Sequence, residues 1–267
     1  MKYIIIDELH TYRGVFGAHI AQILRRFLRV CLLYGSNPCF ITCSATISNP
    51  SQFAKTLTGL PFKSITMNGA PSAEGNFLFL NPEINAITVA AKLFRLFCQK
   101  GFKTIVFTKS RKATELICRW VIQGNSLLKN SISSYRAGYL PEERREIEKK
   151  LFSDELQGVI ATSALEVGID VGGLDACILA GYPGTVINTW QRGGRAGRGL
   201  NNYIIVLIAQ QDALDQYFMR HPLNFFQRDY EKAVLDPDNP EILKQHLVCA
   251  AAEISLTNND YFFDSKK

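Results

Sequence analysis

The stretch Tyr3-Ile4-Ile5-Ile6-Asp7-Glu8-Leu9-His10 joins a short apolar run to two adjacent acidic residues. Three consecutive isoleucines favour a buried β-strand, because β-branched side chains pack well on a pleated surface. The pattern places Asp7 and Glu8 at the carboxyl edge of a parallel sheet, where ligands of such folds bind. A solvated strand end explains the same acidic pair, so the rest of the sequence has to decide between these interpretations.

The acidic pair suits a site that handles phosphate. Asp7 could hold Mg²⁺ through water, because that ion prefers oxygen ligands and keeps several of its waters. Glu8 could orient or deprotonate an attacking water. A zinc-protease site is excluded, because the HExxH motif is absent and His10 has no histidine partner four residues away.

Outward from this strand, short β-branched runs alternate with amphipathic segments. The predicted strands are residues 3–6, 38–43, 103–107, 157–161, 175–180 and 203–208. The predicted helices are residues 17–33, 50–58, 84–99, 110–123, 141–152 and 211–219. This alternation predicts an α/β fold of parallel sheets with flanking helices. Small, polar, Gly and Pro residues cluster at 68–76 and predict a linker between two α/β units.

The first long predicted helix, residues 17–33, has one apolar side. That side carries Ile20, Ile23, Leu24, Phe27 and Leu28. The polar residues Gln22, Arg25, Arg26 and Arg29 lie elsewhere on the helix. We therefore expect the apolar stripe to face the core.

Composition sets the class of protein. The 267 residues, 47% of them hydrophobic, can bury one large core or two modest ones. A net charge of +6 is mildly basic and agrees with an anionic partner. Seven cysteines without a CxxC pair predict reduced thiols in a cytoplasmic protein, with Cys39 and Cys43 buried. Neither a signal peptide nor an apolar run of about 18 residues is present, so we expect no membrane partner.

Two further segments carry small polar residues directly after predicted strands. Phe40–Thr46 ends in the hydroxyls of Ser44 and Thr46, although a turn before a helix explains it equally well. Ala161–Asp170 offers hydroxyls and backbone N–H groups that can bind phosphate, and an acid that can bind a ribose hydroxyl. Neither segment is decisive alone.

The stretch Gln191-Arg192-Gly193-Gly194-Arg195-Ala196-Gly197-Arg198-Gly199 threads arginines with glycines before an apolar run. Arg195 and Arg198 are three residues apart, so they would share one face of a helical turn. The planar, permanently charged guanidinium suits phosphate. The alternative is a flexible RGG-like loop that binds nucleic acid.

Taken in chain order, these segments resemble the motifs of superfamily-two DEAD/DEAH-box-like DNA helicases. Asp7–His10 resembles motif II, Ser44–Thr46 motif III, Ile105–Arg111 motif IV, Ala161–Asp170 motif V and Gln191–Arg198 motif VI. Residues 11–17 (TYRGVFG) and the run from Asn239 to Ala251 are similar to the YprA/MrfA-like branch, which is related to the Lhr helicases. The resemblance covers nearly the whole chain.

The resemblance implies RecA-like parallel sheets with flanking helices, one RecA-like domain complete and another in part. The implied domains are the C-terminal part of the first RecA-like (helicase ATP-binding) domain at 1–67, a linker at 68–76, the second RecA-like domain at 77–221, and the start of an accessory, winged-helix region at 222–267. Such domains grip ATP between them while moving along single-stranded or forked DNA. The implied direction is 3′ to 5′ and the implied pathway is DNA repair.

The resemblance also implies roles for individual residues. Asp7 and Glu8 would serve Mg²⁺ and the hydrolytic water, and Arg195 and Arg198 would reach the γ-phosphate as arginine fingers. Ser44 and Thr46 would couple the nucleotide state to domain closure. The remaining nucleotide-binding residues would be Gln191, Arg192, Gly168 and Asp170. The residues that touch the DNA backbone would be Thr108, Lys109, Ser110, Arg111, Thr162 and Ser163.

One feature of the family is missing from the sequence. No GxGKT-type loop, whose lysine and backbone cradle the phosphates of ATP, occurs in the 267 residues. We therefore expect a fragment of a helicase that is inactive alone, with ATP and Mg²⁺ bound only in a complete protein. Two alternatives are a non-catalytic nucleic-acid-binding module and a subunit that donates arginine fingers in trans to a chain bearing the loop.

Overall fold

The computed structural model describes residues 1–67, 69, 73–166, 173–197, 201–228, 230–257 and 260. The elements in chain order are β1 (Tyr3–Ile6), α1 (Gly14–Leu33), β2 (Cys39–Thr42), α2 (Pro50–Thr58), β3 (Gly75–Leu80), α3 (Ala86–Gln99), β4 (Thr104–Thr108), α4 (Arg111–Gly124), β5 (Ile132–Tyr135), α5 (Pro141–Phe152), β6 (Gly158–Ala161), β7 (Ala176–Ala180), α6 (Val186–Gly193), β8 (Tyr203–Ile208), α7 (Ala213–Arg220), α8 (Pro222–Gln227) and α9 (Pro240–Glu253). The chain divides into two compact units. Unit 1 is Met1–Asn68 with Asp229–Lys267, and unit 2 is Gly69–Arg228.

Unit 2 is built on a six-stranded parallel sheet. Its strand order is β3-β8-β7-β4-β6-β5. Every residue of β4, β6 and β7 is buried, as expected for central parallel strands covered on both faces. The helices α3 and α4 pack on this sheet over a core that includes Phe94 and Ile117. The predicted α/β fold of parallel sheets with flanking helices is confirmed.

All six predicted strands are present, but the sequence pattern missed β3 and β5. Both are the outer strands of the unit 2 sheet. The strand β3 begins at Gly75, inside the segment predicted as a linker, and pairs with β8 from Gly75↔Tyr203 onward. The strand β5 carries Ser133 and Ser134, which interrupt its apolar pattern. An outer strand pairs with only one neighbouring strand, so its sequence can be less continuously apolar than that of a central strand.

Unit 1 contains a two-stranded parallel sheet in which Tyr3 pairs with Cys39 and Ile6 with Thr42. The helix α1 packs against α2 and α9. Alternate residues of both strands, including Tyr3 and Ile5, point to an exposed face. The prediction of buried thiols at Cys39 and Cys43 is wrong, because both lie exposed on this side of the strand pair.

The C-terminal segment, residues 230–257, packs on α1 within unit 1. It buries Gln22 and Arg29, whereas Ile23 is 46% exposed. The amide of Gln22 donates to the carbonyl of Pro237, and Arg29 donates to the carbonyl of Ala250 at 2.9 Å. The predicted orientation of α1 is therefore wrong in part, because the polar side of the helix also faces packed chain. That residues 222–267 begin an accessory region stays a prediction.

A chain of side-chain hydrogen bonds joins α1 to α9. Arg26 Nη1 lies 3.2 Å from His246 Nδ1, and His246 Nε2 lies 3.0 Å from His19 Nδ1. Because a guanidinium can donate but not accept, His246 Nδ1 is the acceptor and its Nε2 carries the hydrogen that His19 accepts. Burial, Arg26 and His19 together hold the pKa of His246 below its usual value, despite the nearby carboxylate of Glu253.

We expect unit 1 to lose stability as the pH falls. The unfolded histidine binds a proton with a pKa of about 6.5, and the folded value is lower. The contribution of His246 to the stability of unit 1 is therefore complete when the pH is above the pKa of the unfolded chain. It is lost as the pH falls through the pKa of His246 in the folded protein. Urea unfolding followed by far-UV circular dichroism at about pH 7.5 and about pH 5.5 measures the change.

The matched control for this prediction is His246→Gln, which removes the titrating group and should flatten the pH dependence. Trp120 and Trp190 are the two tryptophans of the chain and both lie in unit 2. Their fluorescence therefore follows unit 2 separately. An equal pH dependence in wild type and His246→Gln would contradict the assignment.

No helix among the described residues combines the length and the apolar composition needed to cross a membrane.

Candidate functional site

The segments after β1 and β2 meet within unit 1. The amide of Leu9 donates to the carbonyl of Cys43 at 2.8 Å. The buried ring of His10 lies between them, with Nδ1 3.5 Å from Glu8 Oε2 and 3.5 Å from Ser44 Oγ. The structure therefore brings Glu8 and Ser44 to one histidine, a contact that the sequence pattern did not indicate. Thr46 lies exposed two residues beyond Ser44.

Glu8 has a left-handed backbone, with φ 50° and ψ 45°, which is uncommon for a residue with a side chain. The amide and the hydroxyl of Thr11 both donate to the Glu8 carbonyl at 2.8 Å and hold this turn. Strained conformations of this kind concentrate at functional sites, where they fix a side chain in one direction. Here the strained residue is one of the two predicted catalytic acids.

Asp7 has the chemistry expected of a Mg²⁺ ligand. Its carboxylate is exposed at the carboxyl end of β1, and Oδ1 accepts the Glu8 amide at 2.8 Å. The described residues form no group of three side chains that could hold a metal ion. Mg²⁺ commonly binds through one or two carboxylates together with water and substrate phosphates. An exposed acid at a strand end fits that mode, in which a nucleotide supplies the other ligands.

Unit 2 holds an arginine cluster organised by Glu166. Arg192 donates to Glu166 Oε2 from Nη2 at 2.8 Å and from Nε at 2.9 Å. Arg195 donates to the main-chain carbonyl of Glu166. All three side chains belong to buried residues, and the guanidinium carbon of Arg192 lies 5.5 Å from the centre of the Phe107 ring. Glu166 was not singled out from the sequence, although it lies within the motif V segment.

The turn that carries Arg195 is ordered by packing. The helix α6 ends at Gly193, and Ala196 bridges to Leu174. Gly197 has φ +77°, and a Cβ there would lie 2.1 Å from the Tyr203 ring. These contacts favour a packed turn over a flexible RGG-like loop. Gln191 lies in α6, whereas Gly168, Asp170 and Arg198 lie outside the described residues.

The predicted DNA-contacting residues lie at the carboxyl ends of β4 and β6, and several are engaged within the protein. The buried hydroxyl of Thr108 lies 2.8 Å from that of Thr114. Ser110 caps α4 and Thr162 caps the turn at Ser163–Leu165. Arg111 and Ser163 are exposed. A role of these residues in DNA binding stays a prediction.

Lys109 forms ion pairs with two aspartates that follow β8, and the sequence pattern did not indicate these contacts. Its Nζ lies 2.9 Å from Asp212 and 3.6 Å from Asp215. Burial raises the pKa of Asp215, although main-chain amides and Lys109 act to lower it. The pKa of Asp212 is held low, because the Asp215 amide and Lys109 outweigh the effect of burial. An Asp before a helix is a capping signal, and Asp212 is the N-cap of α7.

Comparison with known proteins places this chain among helicases. Residues 87–199 match the family described as Helicase conserved C-terminal domain. The ATP-dependent helicase YprA of Bacillus subtilis is 44% identical over 98% of this chain and 36% of its own length. The ATP-dependent helicase hrq1 of Schizosaccharomyces pombe is 38% identical over the whole chain and 27% of its own length.

A solved structure gives the same result. The DUF1998 helicase MrfA, crystallised with DNA and AMPPNP, superposes on this chain with a TM-score of 0.90 and 46% sequence identity. The match covers 95% of this chain and 37% of the MrfA chain. The chain thus spans about a third of the length of these relatives. The likeness confirms the predicted RecA-like architecture. The chain belongs to the superfamily-two helicases, in the branch that contains YprA, MrfA and Lhr.

Proposed function

We propose that this chain is part of an ATP-dependent DNA helicase, in which ATP hydrolysis drives movement on DNA and its unwinding. The observation that carries the proposal is the match to MrfA bound to DNA and AMPPNP over 95% of this chain. The residue contacts within each unit support it. The acids after β1 adjoin the hydroxyl segment after β2, and Glu166 gathers the arginines of α6 and the following turn.

In this proposal Asp7 holds Mg²⁺ and Glu8 orients the attacking water. Arg195 and Arg198 stabilise the charge of the γ-phosphate, with Gln191, Arg192, Gly168 and Asp170 as further nucleotide contacts. Ser44 and Thr46 couple the nucleotide state to movement. Arg192 would also help to orient the segment that carries Arg195, since it forms a buried ion pair with Glu166.

The proposal extends to the DNA. Single-stranded or forked DNA would be the partner, the direction 3′ to 5′ and the pathway DNA repair, and the support for these three statements is the resemblance of the motifs. Strand displacement from duplexes with a single 3′ or a single 5′ tail tests the direction. The polypeptide used in this assay is the 267-residue chain preceded by a segment that contains a GxGKT-type phosphate-binding loop. Asp7→Ala and Arg195→Ala are expected to abolish unwinding, and unaffected variants would refute the proposed sites.

The polypeptide of residues 1–267 is expected to show no ATP hydrolysis above background, because it contains no GxGKT-type loop to hold the phosphates. A DNA-stimulated ATPase assay, with and without single-stranded DNA, measures this directly. Turnover that is abolished by Arg195→Ala would contradict the prediction. Turnover that persists in that variant would point to a contaminating ATPase.

Two other functions use the same residues. As a nucleic-acid-binding module, the chain would bind single strands in a salt-dependent manner with no effect of nucleotide. As a donor of arginine fingers in trans, it would co-purify with a chain that bears the phosphate-binding loop and would raise the ATPase rate of that chain. Arg195→Ala would remove the stimulation in the second case and leave binding unchanged in the first.

A further inference from the structure

The segment at residues 11–17 (TYRGVFG) follows the acidic pair closely, and the proposed function uses none of its residues. It starts in the short helical turn Leu9–Thr11 and enters α1 at Gly14. The amide of Gly14 donates to the carbonyl of Val234 at 2.9 Å, so the segment also contacts the C-terminal part of unit 1. The segment thus connects Glu8 to the packed elements of its own unit.

The main chain of Glu8 is held on both sides. Its amide donates to Oδ1 of Asp7 at 2.8 Å. Its carbonyl accepts the amide and the hydroxyl of Thr11, each at 2.8 Å. The left-handed backbone between these groups, with φ 50° and ψ 45°, is unfavourable for a residue with a side chain and persists only where several contacts determine it. The bond from the Thr11 hydroxyl is the one of these contacts that a substitution outside the acidic pair can remove.

The backbone conformation of Glu8 sets the position of its carboxylate. Glu8 Oε2 lies 3.5 Å from Nδ1 of His10, which is buried. Because the direction of a side chain depends on the φ and ψ of its residue, a change in either angle at Glu8 would move this carboxylate. Contacts that fix the main chain of Glu8 therefore also fix the group that is predicted to act on the attacking water.

Gly17 lets the segment pack closely against α1. A Cβ at Gly17 would lie 1.9 Å from the carbonyl oxygen of Tyr12 and 2.5 Å from its carbonyl carbon. Both are main-chain atoms, so this close approach requires a residue without a side chain. The amide of Tyr12 in turn donates to the carbonyl of Leu9 at 3.1 Å. The turn that contains Thr11 is therefore anchored to α1 and keeps its hydroxyl next to the Glu8 carbonyl.

We propose that Thr11 is a positioning residue for Glu8, which it holds in the left-handed conformation through its hydroxyl. The inference rests on the proposed function, in which Glu8 orients the attacking water. A hydroxyl has a single hydrogen to donate, and Thr11 donates it to the main chain of Glu8. Thr11 therefore acts through Glu8 and not on the substrate.

The test is DNA-stimulated ATP hydrolysis by the polypeptide that carries a GxGKT-type loop ahead of the 267 residues. Thr11→Val keeps the size and the β-branch of the side chain but lacks the hydroxyl. We expect kcat to fall about tenfold, because a misplaced catalytic group reacts slowly. The KM for ATP should change less than about twofold, since Glu8 acts on water and does not hold the nucleotide. Thr11→Ser retains the hydroxyl and should restore kcat to within about twofold of wild type.

Thr56→Val is the matched control. Thr56 Oγ1 donates to the carbonyl of Gln52 at 2.9 Å within α2. The control therefore removes the same kind of bond from the same unit, away from the acidic pair, and its kcat should equal that of wild type. Thermal unfolding followed by far-UV circular dichroism establishes that each variant is folded at the assay temperature.

Glu8→Gln separates this inference from the proposed function and should abolish hydrolysis. If it does so and Thr11→Val keeps the wild-type kcat, only the positioning role of Thr11 is wrong. If Glu8→Gln hydrolyses ATP as wild type does, the proposed role of Glu8 and this inference both fail. Equal losses of kcat in Thr11→Val and Thr56→Val, or a failure of Thr11→Ser to restore it, would also overturn the inference. A loss in Thr11→Val that Thr11→Ser restores and Thr56→Val does not share supports it.

Discussion

Replacing Gly197 with alanine is expected to destabilise unit 2 by about 3 kcal/mol or more. Gly197 has φ +77°, a conformation that costs an alanine about 1–2 kcal/mol. The added Cβ would also lie 2.1 Å from Cδ1 of Tyr203, so either the ring or the turn must move. The amide of Gly197 donates to the carbonyl of Leu174 at 3.0 Å, which anchors the turn from the other side. Urea unfolding followed by the fluorescence of Trp120 and Trp190 measures the loss.

Gly101→Ala is the matched control for this prediction. Gly101 also lies in unit 2 with φ +84°, but a Cβ there would meet no atom within 4 Å. Gly101→Ala should therefore lower the free energy of unfolding only by the cost of a left-handed backbone for alanine, about 1–2 kcal/mol. The double variant Gly197→Ala with Tyr203→Ala removes the clashing ring. Its loss of unfolding free energy should therefore be smaller than the sum of the losses in the two single variants. Additive losses would mean that the clash does not decide the effect.

The same substitution bears on the proposed site, because Gly197 lies two residues after Arg195. The guanidinium of Arg195 reaches the Glu166 carbonyl only while this turn keeps its shape. In the polypeptide that carries a phosphate-binding segment, Gly197→Ala should therefore reduce ATP hydrolysis even where unit 2 remains folded. An unchanged rate of ATP hydrolysis in Gly197→Ala would show that a shift of this turn does not impair the site.

The central strands could be predicted from sequence, because a parallel strand covered on both faces needs a continuous apolar run. Ile105–Phe107 and Ala176–Ala180 are runs of this kind. The outer strands β3 and β5 could not be recognised, since Gly75 and Ser134 resemble loop residues. Their roles depend on distant partners. Gly75 leaves room for the Tyr203 ring, and Ser134 donates to Glu115.

The candidate site shows the same limit. Motif order predicts Asp7, Glu8, Arg192 and Arg195 as site residues, because each lies in a short recognisable segment. The partners that orient them were not evident. His10 and Glu166 act through contacts with segments 26 to 34 residues away along the chain. A local pattern can predict the residues of a site, whereas the contacts that hold their side chains arise only when the sheet assembles.

Arg29→Ala is expected to release the C-terminal segment from α1. Arg29 is 6% exposed and donates to four acceptors of that segment. They are Asp260 Oδ2 at 2.7 Å and the carbonyls of Ala250, Ile254 and Ser255 at 2.9, 2.9 and 3.3 Å. The guanidinium therefore satisfies carbonyls at the C-terminal end of α9, where a positive charge is favourable. Removing one partner of a buried charged network costs about 3–5 kcal/mol.

Hydrogen exchange of the α9 amides measures this release, and we expect exchange faster by about two orders of magnitude in Arg29→Ala. The matched control is Arg26→Ala on the same helix. Arg26 also contacts the C-terminal segment, through Glu253 and His246, but the side chains of Arg26 and Glu253 are partly exposed, at 21% and 35%. An ion pair with that exposure contributes about 0.2–1 kcal/mol, so α9 should stay protected. If α9 exchanges equally in both variants, apolar contacts such as the fully buried Ala21 and Ala250 hold the segment. If α9 loses protection in Arg29→Ala alone, one buried guanidinium holds the C-terminal segment against the rest of unit 1, which carries Asp7 and Glu8.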